Sequence, residues 1–151
     1  MIFSSAKIPM PAKLSEEQIG HIRLSYYYQA VRLEELGIAE DAPTFIVAEI
    51  SANHLGRKEV CMDLIDIAEA SGANAVKFQT YTAETITLDS NLEDFSIPHD
   101  SPWASYRSLF NLYTEASTPW EWHYELFQYA RSKNLVAFSS AFDETAVDFL
   151  N

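Results

Sequence analysis

Hydrophobic positions along the chain fall into three short runs, at 44–50, 75–80 and 135–142, and polar residues end or follow each of them. Runs of about four to eight apolar residues are typical of strands that are buried on both faces of a parallel sheet. Between the runs, apolar residues recur at helical spacing over 58–71 and 119–133. The order strand, helix, strand, helix, strand predicts an α/β fold with a parallel sheet.

Residues that favour helix ends support these boundaries. Gly72 suits the left-handed position after the helix at 58–71. Thr118 offers a hydroxyl cap, followed by Pro119 at the first helical position and by Glu121, which completes a strong helix start. Asp143 follows the third strand and is predicted to cap another helix.

Two segments lie outside this repeating pattern. We interpret residues 1–43 as an N-terminal extension with an amphipathic helix at 16–36, which we expect to cover one end of the domain; partner binding is the alternative. The connection 81–117 is long, and 105–116 is predicted to form a short helix within it. Connections of this length are often lids or binding loops.

Composition narrows the classes of partner and location. The formal net charge of -12 disfavours nucleic acid as a partner. No apolar run approaches the roughly 20 residues of a membrane-spanning helix, and the first residues lack the pattern of a signal peptide. We therefore expect a cytoplasmic protein with no membrane partner. The single cysteine, Cys61, falls in the apolar stripe of a helix and is predicted to be a core residue.

Polar side chains gather near the carboxyl ends of the three strands, where ligands bind in parallel α/β folds. Lys77 is the most informative, because a lysine on a buried strand is costly unless it meets an anion. Spacing alone leaves two partners open, a ligand anion or an internal salt bridge to Glu49. The adjacent hydroxyls Ser139 and Ser140 beside a helix start are a weaker signal for a phosphate site. His123, inside a predicted helix, is interpreted as structural.

Several separated motifs resemble the sialic acid synthase family. They are AEISANHLG at 48–56, VKFQTYTAETIT at 76–87 and FSSAFDETAVDFL at 138–150. The stretch LYTEASTPWEWH at 112–123 is more similar to the pseudaminic acid synthase branch. Two residues depart from the family pattern: Ala141 stands where proline is usual, and Leu55 follows His54 at a position where asparagine or alanine is more typical.

The resemblance implies that residues 44–151 are an incomplete TIM barrel, its first three βα units, after the N-terminal extension. It implies condensation of phosphoenolpyruvate with an amino-sugar aldehyde, a 2,4-diacetamido-2,4,6-trideoxyhexose, to give a nonulosonic acid and phosphate. Glu49 is implied as the catalytic residue that contacts the sugar. The substrate-binding candidates are Lys77, Gln79, Ser140, Phe142 and Asp143, with Asn53 and His54 from the first loop. Ser139 is a further candidate because it adjoins Ser140 beside a helix start.

The resemblance also implies a divalent metal, Mn²⁺ or Mg²⁺, that polarises the aldehyde, with ligands that we expect to lie outside this chain. It implies a homodimer for a full-length enzyme. Alternatives are a neuraminic or legionaminic acid synthase, or a truncated, non-catalytic fragment of such an enzyme. We expect the isolated chain to lack synthase activity and to be poorly stable or oligomeric, because the edge of its third strand would be exposed.

Overall fold

Three parallel strands form a sheet in the order β1-β2-β3: β1 (Val47–Glu49), β2 (Ala75–Thr80) and β3 (Val136–Ala141). The structure is a computed structural model and describes residues 33–151. The predicted helix at 16–36 lies outside the described residues, apart from a 3₁₀ turn at Leu33–Leu36. Within residues 33–151, no helix is long and apolar enough to cross a membrane.

Five α-helices accompany the sheet within residues 33–151. They are α1 (Lys58–Ala70), α2 (Ala83–Ile86), α3 (Leu109–Ala116), α4 (His123–Ser132) and α5 (Glu144–Leu150). The prediction of an α/β fold with a parallel sheet is confirmed, and the predicted range of β2 matches the observed one.

The main core lies between one face of the sheet and the helices α1 and α4. Val76 and Phe78 point to this face from β2 and are fully buried. They meet Cys61 and Ile65 from α1 and Phe127 from α4, whose ring stacks on that of Phe78 at 5.6 Å. Cys61 is fully buried in this cluster, so it is a core residue as predicted, and its burial raises the pKa of the thiol to about 11.

Strand β1 is shorter and more exposed than the sequence pattern predicted. The predicted range was 44–50, buried on both faces, but Ile46 is 52% and Val47 40% exposed. β1 lies at the edge of the sheet and pairs only with β2 within the described chain. Before the strand, the Asn74 side chain accepts a hydrogen bond from the Ile46 amide at 2.8 Å.

Two of the three predicted helix-end signals are confirmed. Gly72 has a φ of +79° after α1, and the Asp143 carboxylate accepts hydrogen bonds from backbone amides at the start of α5. The Thr118 cap is wrong. A 3₁₀ turn (Trp120–Trp122) precedes α4, and the Trp122 amide donates to the Pro119 carbonyl at 3.0 Å. The Thr118 hydroxyl is buried without a hydrogen-bond partner in the described chain.

The long connection between β2 and α4 is folded rather than open. Besides α2 and α3 it contains 3₁₀ turns at Glu93–Phe95 and Ala104–Tyr106. Ser96 and Ser108 form an antiparallel bridge, and the amide of the buried Ile97 donates to the Arg107 carbonyl at 2.9 Å. These contacts hold residues 103–116 over the carboxyl ends of the strands, beside the predicted site.

Candidate functional site

Glu49 and Lys77 meet on one face of the sheet, at the carboxyl end of β1 and beside the middle of β2. They are register partners on β1 and β2, and the Lys77 Nζ lies 2.5 Å from the Glu49 Oε2. About a third of each side chain is exposed, 33% for Lys77 and 39% for Glu49. The internal salt bridge, one of the two partners considered for Lys77, is therefore present, and the pair remains open to a ligand from solvent.

Gln79 and Ser140 extend this polar row across the sheet. They are register partners on β2 and β3, and paired residues of parallel strands point to the same face. Gln79 lies two residues beyond Lys77, so all of these side chains lie on the face opposite Val76 and Phe78. The structure thus brings four predicted site residues, Glu49 and Lys77 with Gln79 and Ser140, to one face.

Ser139 is separated from that row, because neighbouring residues of a strand point to opposite faces. Its hydroxyl lies 2.6 Å from the Thr80 hydroxyl, which lies 2.7 Å from Nε2 of the buried His123. Nδ1 of His123 faces the Pro119 carbonyl, which can only accept, so Nδ1 carries the proton and Nε2 accepts from Thr80. Ser139 in turn donates to Thr80.

The environment of His123 keeps its imidazole neutral. Burial lowers its pKa to about 4, despite the hydrogen bond to Pro119. The rings of Phe127 and Phe149 lie at 5.9 and 5.5 Å. This placement agrees with the interpretation of His123 as a structural residue, which links α4 to β2 and β3.

His54, a predicted ligand residue, anchors the loop that follows β1. It is fully buried; its Nδ1 accepts from the Gly56 amide at 3.0 Å, and its Nε2 donates to the Ala116 carbonyl at 3.1 Å. Because Nδ1 accepts from an amide it carries no proton, and burial lowers the pKa of His54, which favours the same neutral ring. His54 therefore fixes the loop against the end of α3.

The remaining predicted residues border the row. Asn53 is exposed and donates from Nδ2 to the Ile50 carbonyl at 3.0 Å. The Asp143 Oδ1 accepts from the amides of Thr145 and Ala146, at 2.8 and 3.0 Å. Burial opposes ionisation, but hydrogen bonds from the Thr145 hydroxyl, from these two amides and from the Thr85 side chain together outweigh it and lower the pKa of Asp143. Phe142 is 45% exposed.

A cavity of about 470 Å³ opens beside Gln79, between the loop at 51–56 and the β2–α4 connection. Its walls include Tyr81, Trp103, Tyr106, Tyr113 and Glu115. The Phe142 ring packs edge-on against Tyr81 at 5.4 Å and so links this wall to β3. The sequence pattern did not single out Trp103, Tyr106 or Glu115 as site residues. The signal for them was the length of the connection that carries them.

No group of three or more histidine, cysteine, aspartate or glutamate side chains is placed to hold a metal ion within residues 33–151. The side chains of the polar row are a paired carboxylate and ammonium, an amide and a hydroxyl. Groups of this kind are suited to anions and hydroxyl groups, and the set does not by itself fit a divalent metal.

A profile of the NeuB family matches residues 64–151. The chain is 44% identical over 110 residues to the pseudaminic acid synthase of Campylobacter jejuni, an alignment that covers 73% of this chain and 32% of that protein. It is 33% identical over 106 residues to the N,N'-diacetyllegionaminic acid synthase of Legionella pneumophila, covering 70% of this chain and 29% of that protein. The chain thus spans about a third of the length of these relatives.

A solved structure supports the same relationship. The crystal structure of the N-acetylneuraminic acid synthetase of Leptospira borgpetersenii, in complex with citrate, matches with a TM-score of 0.54 and 29% sequence identity. The match covers 72% of this chain and 32% of that one. The arrangement of strands and helices described above therefore recurs in a sugar acid synthase.

Proposed function

The chain belongs to the NeuB family, and we propose that its protein condenses phosphoenolpyruvate with an amino-sugar aldehyde to form a nonulosonic acid and release phosphate. A pseudaminic acid synthase is the specific form that we propose. The identity of 44% to a pseudaminic acid synthase, against 33% to a legionaminic acid synthase, supports this choice. Its sugar would then be a 2,4-diacetamido-2,4,6-trideoxyhexose.

The observation that carries the proposal is the position of Lys77. Lys77 is the third residue of β2, and its ammonium group pairs with Glu49, the last residue of β1. Gln79 and Ser140 continue this face toward the carboxyl ends of β2 and β3, the end of a parallel sheet where ligands bind in this class of fold. Glu49 holds the ammonium group at 2.5 Å while a third of the lysine side chain stays exposed. In a protein with a formal net charge of -12, this fixed cation offers a local site for an anionic substrate.

Each residue of the row has a part in the proposed reaction. Lys77 neutralises the anionic groups of phosphoenolpyruvate, while the Gln79 amide and the Ser140 hydroxyl donate hydrogen bonds to them. Glu49 accepts from the sugar and holds its aldehyde carbon near the vinyl carbon, so that positioning lowers the barrier. A carbon–carbon bond forms between these two atoms. Water then adds to the former enol carbon, and phosphate leaves with the C–O bond electrons. One proton of the water goes to the former aldehyde oxygen, which becomes a hydroxyl, and the other leaves with the phosphate, so that a keto acid remains.

The roles of the other predicted residues are more limited in this proposal. Phe142 contributes an apolar edge beside the row, and Asn53 borders the entrance. His54 positions the loop after β1 through its hydrogen bond to the Ala116 carbonyl. Asp143 positions the start of α5 through the Thr145 amide, and Ser139 positions the end of β3 through the Thr80 hydroxyl.

Further parts of the proposal concern the whole protein. We propose that residues 44–151 form the first three βα units of a (β/α)₈ barrel, after an extension at 1–43, and that the protein is a cytoplasmic homodimer. The sialic acid synthetase structure that matches the described residues supports the barrel. The divalent metal implied by the family resemblance does not fit the side chains of the described chain, and no step above depends on it.

Product formation tests the reaction directly. The protein as its native gene expresses it and, in parallel, the isolated 151-residue chain are incubated with phosphoenolpyruvate and, in turn, a 2,4-diacetamido-2,4,6-trideoxyhexose or N-acetylmannosamine. Both phosphate and nonulosonic acid are quantified. Sugar-dependent release of both products, fastest with the diacetamido sugar, is expected from the natively expressed protein, whereas the isolated chain is expected to release neither. Binding of phosphoenolpyruvate without product by the natively expressed protein would favour the non-catalytic fragment. Faster reaction with N-acetylmannosamine would favour a neuraminic acid synthase.

A further inference from the structure

The cavity beside Gln79 differs from the polar row in its charge. Of the residues of the described chain that line it, none is lysine or arginine, and Glu115 is the one acidic residue. Lys77 lies outside this lining. A carboxylate without a cation repels phosphoenolpyruvate, so the anionic substrate belongs at Lys77 and the cavity suits an uncharged ligand. A volume of about 470 Å³ is within the range of small-molecule sites, roughly 300–1,000 Å³.

Aromatic rings form the apolar part of the cavity wall. Tyr81 is 3% exposed, and it is held edge-on between Tyr113 at 6.0 Å and Phe142 at 5.4 Å. Trp103, by contrast, is 55% exposed on the same wall. A rigid aromatic floor and an exposed indole together offer large flat surfaces to the methyl and C–H groups of a ligand.

Polar groups on the wall provide acceptors for N–H and O–H donors. The Tyr106 hydroxyl donates to the Glu115 Oε1 at 2.9 Å and so fixes the orientation of the carboxylate. Asn53 uses its Nδ2 to bind the Ile50 carbonyl, which leaves its Oδ1 as an acceptor. Gln79 adds one amide donor group and one acceptor.

An acetamido group matches this combination, because it presents one N–H donor, one carbonyl acceptor and one methyl group. We propose that the cavity is the subsite for the acetamido groups of the sugar, and that Trp103 and Glu115 are its specificity-determining residues. Trp103 covers the methyl groups, and Glu115 accepts an amide N–H. The inference rests on the proposed function, since it assigns the second substrate of that reaction to the cavity.

The test measures dissociation constants of three sugars by ligand-observed NMR titration of the 151-residue chain, with phosphoenolpyruvate at saturation. The sugars are the 2,4-diacetamido-2,4,6-trideoxyhexose, N-acetylmannosamine and mannose. We expect affinity to fall in that order. Trp103→Ala should raise the dissociation constant of the diacetamido sugar by about tenfold or more, which is the usual effect of losing an apolar contact. Glu115→Ala should reduce the preference for acetamido sugars over mannose.

Leu92→Ala is the matched control, since Leu92 is 66% exposed in the same connection and does not line the cavity. It should change no affinity, and all three variants should bind phosphoenolpyruvate as the parent chain does. Mannose binding as tightly as the diacetamido sugar, or no effect of Trp103→Ala, would overturn the inference. So would a parent chain that binds phosphoenolpyruvate but none of the sugars. Failure to bind phosphoenolpyruvate would contradict the proposed function instead.

Discussion

Thr80 connects the two strands that carry most of the site, and its hydroxyl is the centre of a buried hydrogen-bond chain from Ser139 to His123. Thr80→Val keeps the shape of the side chain and removes that hydroxyl. His123 is 1% exposed, so its Nε2 would lose its donor without gaining water. Leaving a buried acceptor unsatisfied costs about 1–3 kcal/mol. Ser139 is half-buried and can turn its hydroxyl to solvent, so the loss of its Thr80 partner adds less to the destabilisation.

Thr118→Val is the matched control for this change. Both threonines are buried, with exposures of 1% for Thr118 and 0% for Thr80. The Thr118 hydroxyl, however, has no hydrogen-bond partner in the described chain. Its removal should leave the free energy of unfolding unchanged or raise it, since an unpaired buried hydroxyl is itself unfavourable. The two variants share the same chemical change, so their difference isolates the hydrogen bonds.

Urea unfolding followed by circular dichroism measures both variants, with the midpoint and the slope fitted separately. We expect Thr80→Val to lower the free energy of unfolding by about 1–3 kcal/mol relative to Thr118→Val, at an unchanged slope. Equal stability of the two variants would refute the hydrogen-bond chain, and with it the explanation of how the ends of β2 and β3 are held together.

Three further predictions concern single side chains. The folded-state pKa of His123, about 4, lies below its usual 6.5, so unfolding takes up a proton between these values. The contribution of neutral His123 to stability is therefore complete above pH 6.5 and is lost as the pH falls toward 4, at up to ~1.4 kcal/mol per pH unit. The urea midpoint of His123→Gln should vary less with pH over this range than the midpoint of the parent chain does. Asp143→Ala should lower the free energy of unfolding by about 1 kcal/mol through loss of the α5 cap, whereas Asp143→Asn, which keeps an acceptor oxygen, should lose less; equal losses would contradict the cap. Cys61 should react with a thiol reagent only after urea is added, because it is buried and its thiol pKa is raised to about 11; rapid labelling of the native chain would show otherwise.

The sequence pattern was sufficient for the parallel sheet and for the range of β2. It also singled out Lys77 as a polar residue on a buried strand, and the structure places this lysine on the face opposite Val76 and Phe78. The pattern overestimated the burial of β1, because local sequence does not reveal which strand lies at the edge of a sheet.

Contacts between distant segments account for what the sequence did not show. His54 forms a hydrogen bond to Ala116, 62 residues away in the sequence, and a loop motif cannot predict a contact across such a separation. Ser139 was grouped with Ser140 because they are adjacent, although strand geometry sends adjacent side chains to opposite faces. Trp103 and Glu115 lie in an irregular connection without periodicity, so only the fold could bring them to the cavity wall.

Binding of phosphoenolpyruvate at Lys77 is the central claim, and isothermal titration calorimetry of the 151-residue chain tests it most directly. Three proteins are compared: the parent, Lys77→Met, and Lys58→Met, which removes a lysine of similar exposure that pairs with Glu125 outside the row. We predict that the parent and Lys58→Met bind alike and that Lys77→Met binds at least tenfold more weakly, since charge-assisted hydrogen bonds contribute about 1.5–3 kcal/mol. Equal affinity of Lys77→Met and the parent would contradict the account.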